Sequence, residues 1–244
     1  MAELHAVIMA GGRGSRLAPY TTVLPKPLMP LDDRPILGVV LEQLVEAGVT
    51  SITISVGHLS GLIEGWVRHH EPSLGVPVHF VYEHEPLGTA GALANMRRPT
   101  ETFLALNGDI LTDLAFTRLI ERNSETGAIA TMAINERTVQ VEYGVVHTTA
   151  DGLIARLEEK PTLRYRVSMG IYAMRPEIID LITPGERIDF PDLLTRAMGR
   201  GNAVQTLPFD GYWRDIGNRD DYEGAIADFA EDRGRFVASA RAPR

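Results

Sequence analysis

Only two of the 24 basic side chains in this chain are lysines, Lys26 in the run LPKPL and Lys160 in EEKPT, and each precedes a proline. Arginine serves every other basic position. A compact ammonium on a flexible stem suits point contacts with phosphate in a tight space, which a planar guanidinium does not. Two ordinary surface lysines are the competing reading, and the residues around them weigh against it. Upstream of Lys26 an apolar run ends in Ala10-Gly11-Gly12-Arg13-Gly14-Ser15-Arg16-Leu17. Glycines permit positive φ and close backbone approach, so successive amides can point into an anion, while Arg13 and Arg16 add charge to the same loop. The spacing is not of the Walker type, and Leu17 stands where a dinucleotide fingerprint would carry its third glycine. A purely structural turn would look similar. What favours a phosphate cradle is the stretch that follows, where Pro19, Pro25, Pro27 and Pro30 stiffen an expected extended loop that presents Lys26 to whatever the glycines bind. A carboxylate, Asp109, follows the apolar run FLALNG, at the carboxyl end of a predicted parallel strand, where open α/β sheets place ligands. The alternative there is a plain Asn-Gly-Asp turn.

The elements that must position these groups alternate through the first half of the chain. Strands are expected at 4–10, 51–56, 76–82 and 102–107, and helices near 35–47, 59–70, 88–97 and 114–125. That rhythm predicts a parallel sheet with helical crossovers. From about 127 onward strands dominate: AIATMAI, GVVHTT, GLIARLE, RVSMGIYAM, AVQTLPF and GYWRDI, interrupted by helices near 176–182, 189–199 and 219–230. The simplest organisation is one domain over 1–232, with a nucleotide-type lobe at 1–126, a mixed lobe at 127–232 and a flexible tail at 233–244. With 244 residues, 44% hydrophobic and 23% charged, the chain reads as a soluble globular protein. It has no apolar run of the roughly 20 residues a membrane span needs. The start does not resemble a cleaved signal, so a cytoplasmic location is expected. A formal net charge of -8 argues against nucleic acid as a partner, and an anionic small molecule would need a local basic pocket or a divalent cation. The absence of cysteine excludes thiolate chemistry and Cys-ligated metal, and the seven histidines show no convincing metal-ligand spacing, with His69 and His70 expected at a solvated helix end.

The run Ala10 to Leu31, followed in order by EPLGTAGAL (85–93), NGDI (107–110), EYGVV (142–146), EEKP (158–161) and WRDIG (213–217), resembles the signature of the sugar-1-phosphate nucleotidyltransferases, or NDP-sugar pyrophosphorylases. The resemblance spans nearly the whole chain. It implies an α/β fold of the nucleotide-diphospho-sugar transferase type, a Rossmann-like mostly parallel mixed sheet flanked by helices, with a smaller sugar-binding lobe. The implied reaction moves a nucleoside monophosphate from an NTP to a sugar 1-phosphate and releases pyrophosphate, with Mg2+. On this resemblance Ala10, Gly11, Gly12, Gly14, Ser15 and Arg16 hold the triphosphate, and Lys26 sits by the reacting phosphates. Asp109 and Asp215 hold the metal. Glu83, Pro86, Gly88 and Thr89 surround the base. Asn107, Gly144, Glu159, Lys160 and Ser168 receive the sugar phosphate, and Arg16, Lys26, Asp109 and Lys160 form the catalytic set. Around Ser168 the family often carries Asn or another small polar residue.

Glu83 bears on the choice of base. One carboxylate can accept from both N1–H and the exocyclic amine of guanine, whereas uracil or thymine offers one donor and adenine none at N1. GTP is therefore expected, and EPLGTAGAL looks like the mannose- and heptose-1-phosphate guanylyltransferase branch. UTP or dTTP with glucose 1-phosphate remains the competitor. A cytidylyltransferase for a non-sugar phosphate and a non-catalytic nucleotide sensor are the further alternatives, the last opposed by the presence of Arg16, Lys26, Asp109 and Asp215. A bare catalytic domain without β-helix repeats is expected, and a homo-oligomer is compatible with the sequence.

Overall fold

The computed structural model describes residues 3–237. In chain order it comprises β1 (His5–Ala10), the hairpin β2 (Pro30–Leu31) and β3 (Arg34–Pro35), α1 (Ile36–Glu46), β4 (Ser51–Val56), α2 (Ser60–Leu74) and β5 (Val78–Tyr82). There follow β6 (Phe103–Asn107), β7 (Ile110–Thr112), α3 (Phe116–Thr126), β8 (Ala130–Gln140), β9 (Val145–Thr148), β10 (Ile154–Glu158) and β11 (Thr162–Met174). The last elements are α4 (Phe190–Gly199), β12 (Val204–Pro208), β13 (Trp213–Asp215), α5 (Arg219–Glu231) and α6 (Arg233–Phe236). Seven strands form one sheet in the order β12-β8-β11-β6-β1-β4-β5. All neighbours are parallel except those of β11, which runs antiparallel to both β6 and β8. The expected mostly parallel mixed sheet is what the chain forms.

Alternation along β1 explains the layers. Ala6, Ile8 and Ala10 enter a core shared with α1, α2 and α3, while Val7 faces a second core that includes Phe190, Leu193 and Leu194 of α4. Both faces of the strand are buried, as a parallel strand under helices requires. A third cluster joins Leu17, Met29 and Leu31 to Leu111, Ile216, Phe229 and Phe236. It fastens α5 and α6 beneath the glycine-rich loop. This corrects the expected flexible tail at its start: Arg233–Phe236 is helical, and Phe236 and Val237 are buried. Residues 238–244 of that tail lie outside the described residues.

Three smaller expectations change as well. The helix near 88–97 is a short 3-10 segment at Gly91–Asn95, and that near 176–182 is likewise 3-10 at Pro176–Leu181. The proline-rich stretch after the glycines is not extended; it coils into three successive 3-10 turns, Ser15–Leu17, Tyr20–Thr22 and Lys26–Leu28, because proline's fixed φ suits a tight turn as well as an extended chain. Helix α2 runs past the His69–His70 pair, and His70 stacks on Trp66 at 4.0 Å between centroids. Among the described residues no helix is long and apolar enough to cross a membrane.

Beyond the sheet, β8 and β11 continue as a ribbon. Residues 135–140 and 162–167 pair only with each other, and a register break between Ser168 and Tyr172 marks where β11 leaves β6. The hairpin β9–β10 lies in the chain between the two strands of this ribbon, and together they form an arm rich in exposed apolar side chains, among them Tyr143, Leu153, Ile154 and Leu157.

Candidate active site

A cleft of about 420 Å³ opens at the carboxyl ends of β1, β5 and β6. Its lining includes Ala10, Gly11, Gly12, Gly14, Ser15, Arg16, Lys26, Glu83, Pro86, Gly88, Thr89, Asn107, Asp109 and Asp215, so the structure brings fourteen of the residues named from sequence into one place. Arg13 is not among the lining residues, which leaves Arg16 as the loop's cation in the cleft.

The loop after β1 is shaped by two close fits. A Cβ at Gly11 would collide with Glu83 Oε1, and Gly14 stands at φ 61°, with its carbonyl accepting from Thr21 Oγ1 at 2.8 Å. No atom would lie within 4 Å of a Cβ on Gly12, so that side of the loop faces open space. Glu83 itself is fixed at both oxygens: Ser55 Oγ donates to Oε1 at 2.5 Å and Leu87 N donates to Oε2 at 3.1 Å. Each carboxylate oxygen keeps one further acceptor direction.

Asp109 and Asp215 are 106 positions apart in sequence and adjacent in space. The antiparallel pair β7–β13 sets Asp215 opposite Ile110, and Ile216 N donates to the Asp109 carbonyl at 3.0 Å. Lys26, buried, donates to Asp109 Oδ2 and stands 3.8 Å from Asp215 Oδ1. Burial first, and then the neighbouring Asp109 charge, push the Asp215 carboxyl above the usual carboxylate range, while Lys26 and Arg16 pull it back. Asp109 Oδ1 is buried with no hydrogen-bond partner. A buried orphan oxygen beside a second carboxylate is a donor set that suits a hard divalent cation, with water and phosphate oxygens completing the shell. Among the described residues no group of three or more His, Cys, Asp or Glu could hold a metal, so these two carboxylates are the protein's share of such a site.

Gly144, Glu159, Lys160 and Ser168 do not line this cleft. Gly144, Glu159 and Lys160 belong to the arm, and Ser168 sits at its base, paired with Ile134. Gly144 and Glu159 are neighbours, since a Cβ on Gly144 would lie 3.3 Å from Glu159 Oε2. Lys160 is exposed, sits at φ 44° just before Pro161, and has no ion-pair partner among the described residues. Ser168 Oγ is 3.0 Å from the Tyr172 hydroxyl and accepts from Gly170 N at 3.2 Å. Conversely, the cleft contains Arg187, which no motif singled out. Its flanks, Pro-Gly-Glu before and Ile-Asp after, look like a connection leading into α4, and nothing in its spacing ties it to a strand end.

A family described as Nucleotidyl transferase matches residues 5–232. Mannose-1-phosphate guanyltransferase beta-A of Xenopus laevis is 34% identical over 230 residues, covering 90% of this chain and 62% of that protein. UTP--glucose-1-phosphate uridylyltransferase of a Synechocystis strain is 34% identical over 245 residues, covering 91% and 62%. The chain thus spans about 62% of the length of the curated relatives it matches. Among solved structures, HddC from Yersinia pseudotuberculosis complexed with GMP-PN superposes with a TM-score of 0.70 at 26% identity, over 92% of this chain and 99% of that one. With the glycine-rich loop, Lys26 and the two carboxylates gathered at the strand ends of the matched region, this chain belongs to the nucleotidyl transferase family.

Proposed function

We propose that the protein transfers a guanylyl group from GTP to a sugar 1-phosphate, of the mannose or manno-heptose type, in the cytoplasm. The observation that carries this reading is Lys26, buried against Asp109 and Asp215 at the mouth of the glycine-rich loop. One phosphate oxygen of the sugar 1-phosphate attacks the α-phosphorus of the nucleotide; the bond from that phosphorus to the β-phosphate bridging oxygen breaks, and pyrophosphate leaves with the electron pair. Both reactants are polyanions, so most of the catalysis is positioning and charge neutralisation. The amides of Gly11, Gly12, Gly14 and Ser15, with Arg16, orient the triphosphate and offset the charge that grows on the leaving group. Lys26 does the same for the transferred phosphoryl oxygens. A bound Mg2+, held by Asp109 and Asp215, would supply further electrostatic stabilisation of the phosphates. Gly144, Glu159 and Lys160 on the arm, Ser168 at its base and Asn107 at the end of β6 receive the sugar phosphate.

GTP is favoured by Glu83, whose two remaining acceptor directions match the two donors of guanine, and by likeness to a guanyltransferase and to a structure complexed with GMP-PN. The uridylyltransferase likeness keeps UTP with glucose 1-phosphate as the second reading. A panel of GTP, UTP, dTTP, CTP and ATP against mannose, heptose and glucose 1-phosphates and phosphocholine, followed by pyrophosphate release, tests both. Fastest release with GTP and a sugar 1-phosphate is expected; a more than tenfold advantage for a pyrimidine triphosphate would overturn the base assignment, and no release with any pair would overturn the reaction.

A further inference from the structure

We infer that Arg187 reads the acceptor edge of the guanine base, donating to O6 and N7, and so completes the base specificity that Glu83 begins. The inference rests on the GTP reading proposed above. Arg187 is an exposed residue that lines the cleft without a hydrogen bond or ion pair among the described residues, so its donors are available to a ligand there. The backbone on either side of it is pinned. Glu186 takes a two-pronged contact from Arg196 at 2.5 and 2.9 Å and accepts from Thr183 N at 3.0 Å. Ile188 N donates to the Leu87 carbonyl, Ala90 N donates to the Ile188 carbonyl, both at 3.0 Å, and Asp189 Oδ1 accepts from Thr89 N at 2.7 Å. The fit is close enough that a Cβ on Gly88 would stand 2.5 Å from the Ile188 carbonyl oxygen. Arg187 is therefore carried on a segment zipped to residues 87–90, and Leu87 N is the group that holds Glu83.

Two poles result. Arg16, Lys26, Asp109 and Asp215 form one, where phosphates and their charge belong: a Cβ on Gly217 would lie 3.5 Å from an Arg16 nitrogen and 3.6 Å from Asp215 Oδ2. Glu83 and Arg187 form the other, a carboxylate that only accepts and a planar fork that only donates. Guanine presents the matching sequence along one side, donors at N2 and N1 and then acceptors at O6 and N7. Adenine places a donor at the sixth position, against the fork, and a pyrimidine has no N7 acceptor. A guanidinium bidentate to O6 and N7 discriminates bases by about tenfold or more.

The contact can be tested atom by atom with GTP, 7-deaza-GTP, which lacks the N7 acceptor, ITP, which lacks the exocyclic amine, and UTP. The wild-type protein should lose about tenfold in kcat/KM on going from GTP to 7-deaza-GTP. In Arg187→Ala that difference should vanish, GTP turnover should fall to the 7-deaza level or below, and UTP, which offers the fork only its O4 acceptor, should lose less than GTP. The ITP penalty, which reports on Glu83, should persist. Arg187→Lys, which keeps charge and volume, should remain folded and retain only part of the N7 sensitivity. The inference is overturned if Arg187→Ala keeps the full 7-deaza penalty, or if GTP and UTP weaken equally, as a phosphate contact would require. Equilibrium binding of the same nucleotides reads the contact without turnover, so a wrong sugar assignment leaves this test intact; absence of pyrophosphate release with every sugar phosphate would instead defeat the proposed function.

Discussion

Lys26 and Lys160 share a sequence setting, each followed by proline, and fold into opposite environments. Lys26 lies in a 3-10 turn over the third apolar cluster, buried and bonded to Asp109. Its ammonium is placed before any ligand arrives. Lys160 stands on the arm between β10 and β11, exposed, without an ion-pair partner among the described residues and held at φ 44°, a conformation that costs a non-glycine residue about 1–2 kcal/mol. The nucleotide end of the proposed reaction is thus built on a sheet buried on both faces, and the sugar end on strands that pair only with each other. Rigid placement suits the charge-stabilising groups, because their value depends on being oriented in advance. The arm carries local backbone strain at Lys160, which agrees with the sugar-phosphate contact proposed there.

Substitutions at the two regions should separate on this basis. The largest effect is expected at the cleft: Asp109→Asn should lower kcat by at least about a hundredfold with the melting temperature nearly kept, since it weakens both the Lys26 contact and the proposed metal site. Near-normal turnover in that variant, or in excess chelator, would remove Asp109 and Asp215 from the machinery. Next comes Lys26→Arg. The guanidinium keeps the charge but must fit a buried space built around an ammonium, so kcat should drop about tenfold or more with both substrates saturating. Lys160→Arg should be milder and different in kind, raising KM for the sugar phosphate about threefold to tenfold while KM for the nucleotide stays put. Equal kcat losses at Lys26 and Lys160 would erase the proposed contrast. The smallest effect concerns stability: Lys160→Gly relieves the positive φ and should raise the unfolding free energy by up to about 1 kcal/mol, read by urea denaturation, while sugar-phosphate affinity falls.

Much of this was legible from residue order. The period of the apolar runs located nearly every sheet strand, because a strand buried on both faces and a helix with one apolar side leave different spacings in the chain. The glycine loop and Asp109 could be assigned to strand ends by the same logic. The coiled path of the proline-rich stretch could not, since proline fixes one dihedral and leaves the following angle to packing, here of Leu17, Met29 and Leu31 on the last helices. The ordered start of the tail was hidden too, because a small polar-looking segment reveals nothing of Phe236 closing against Tyr212 and Phe229.

By itself the sequence singled out the chemical groups proposed to meet phosphate and metal, through the scarcity of lysine, the glycine spacing and the ordered motifs. The tertiary structure decided which of them meet. Asp215 reaches Asp109 only because β13 pairs with β7, Glu83 is oriented only by Ser55 and Leu87, and Arg187 enters the cleft only because its segment zips onto residues 87–90. The first and last depend on hydrogen bonds between backbones distant along the chain, and the second on the pairing of β4 with β5 that brings Ser55 beside Glu83; partners of this kind are set by strand register and loop closure, and no local pattern of residue types encodes that register.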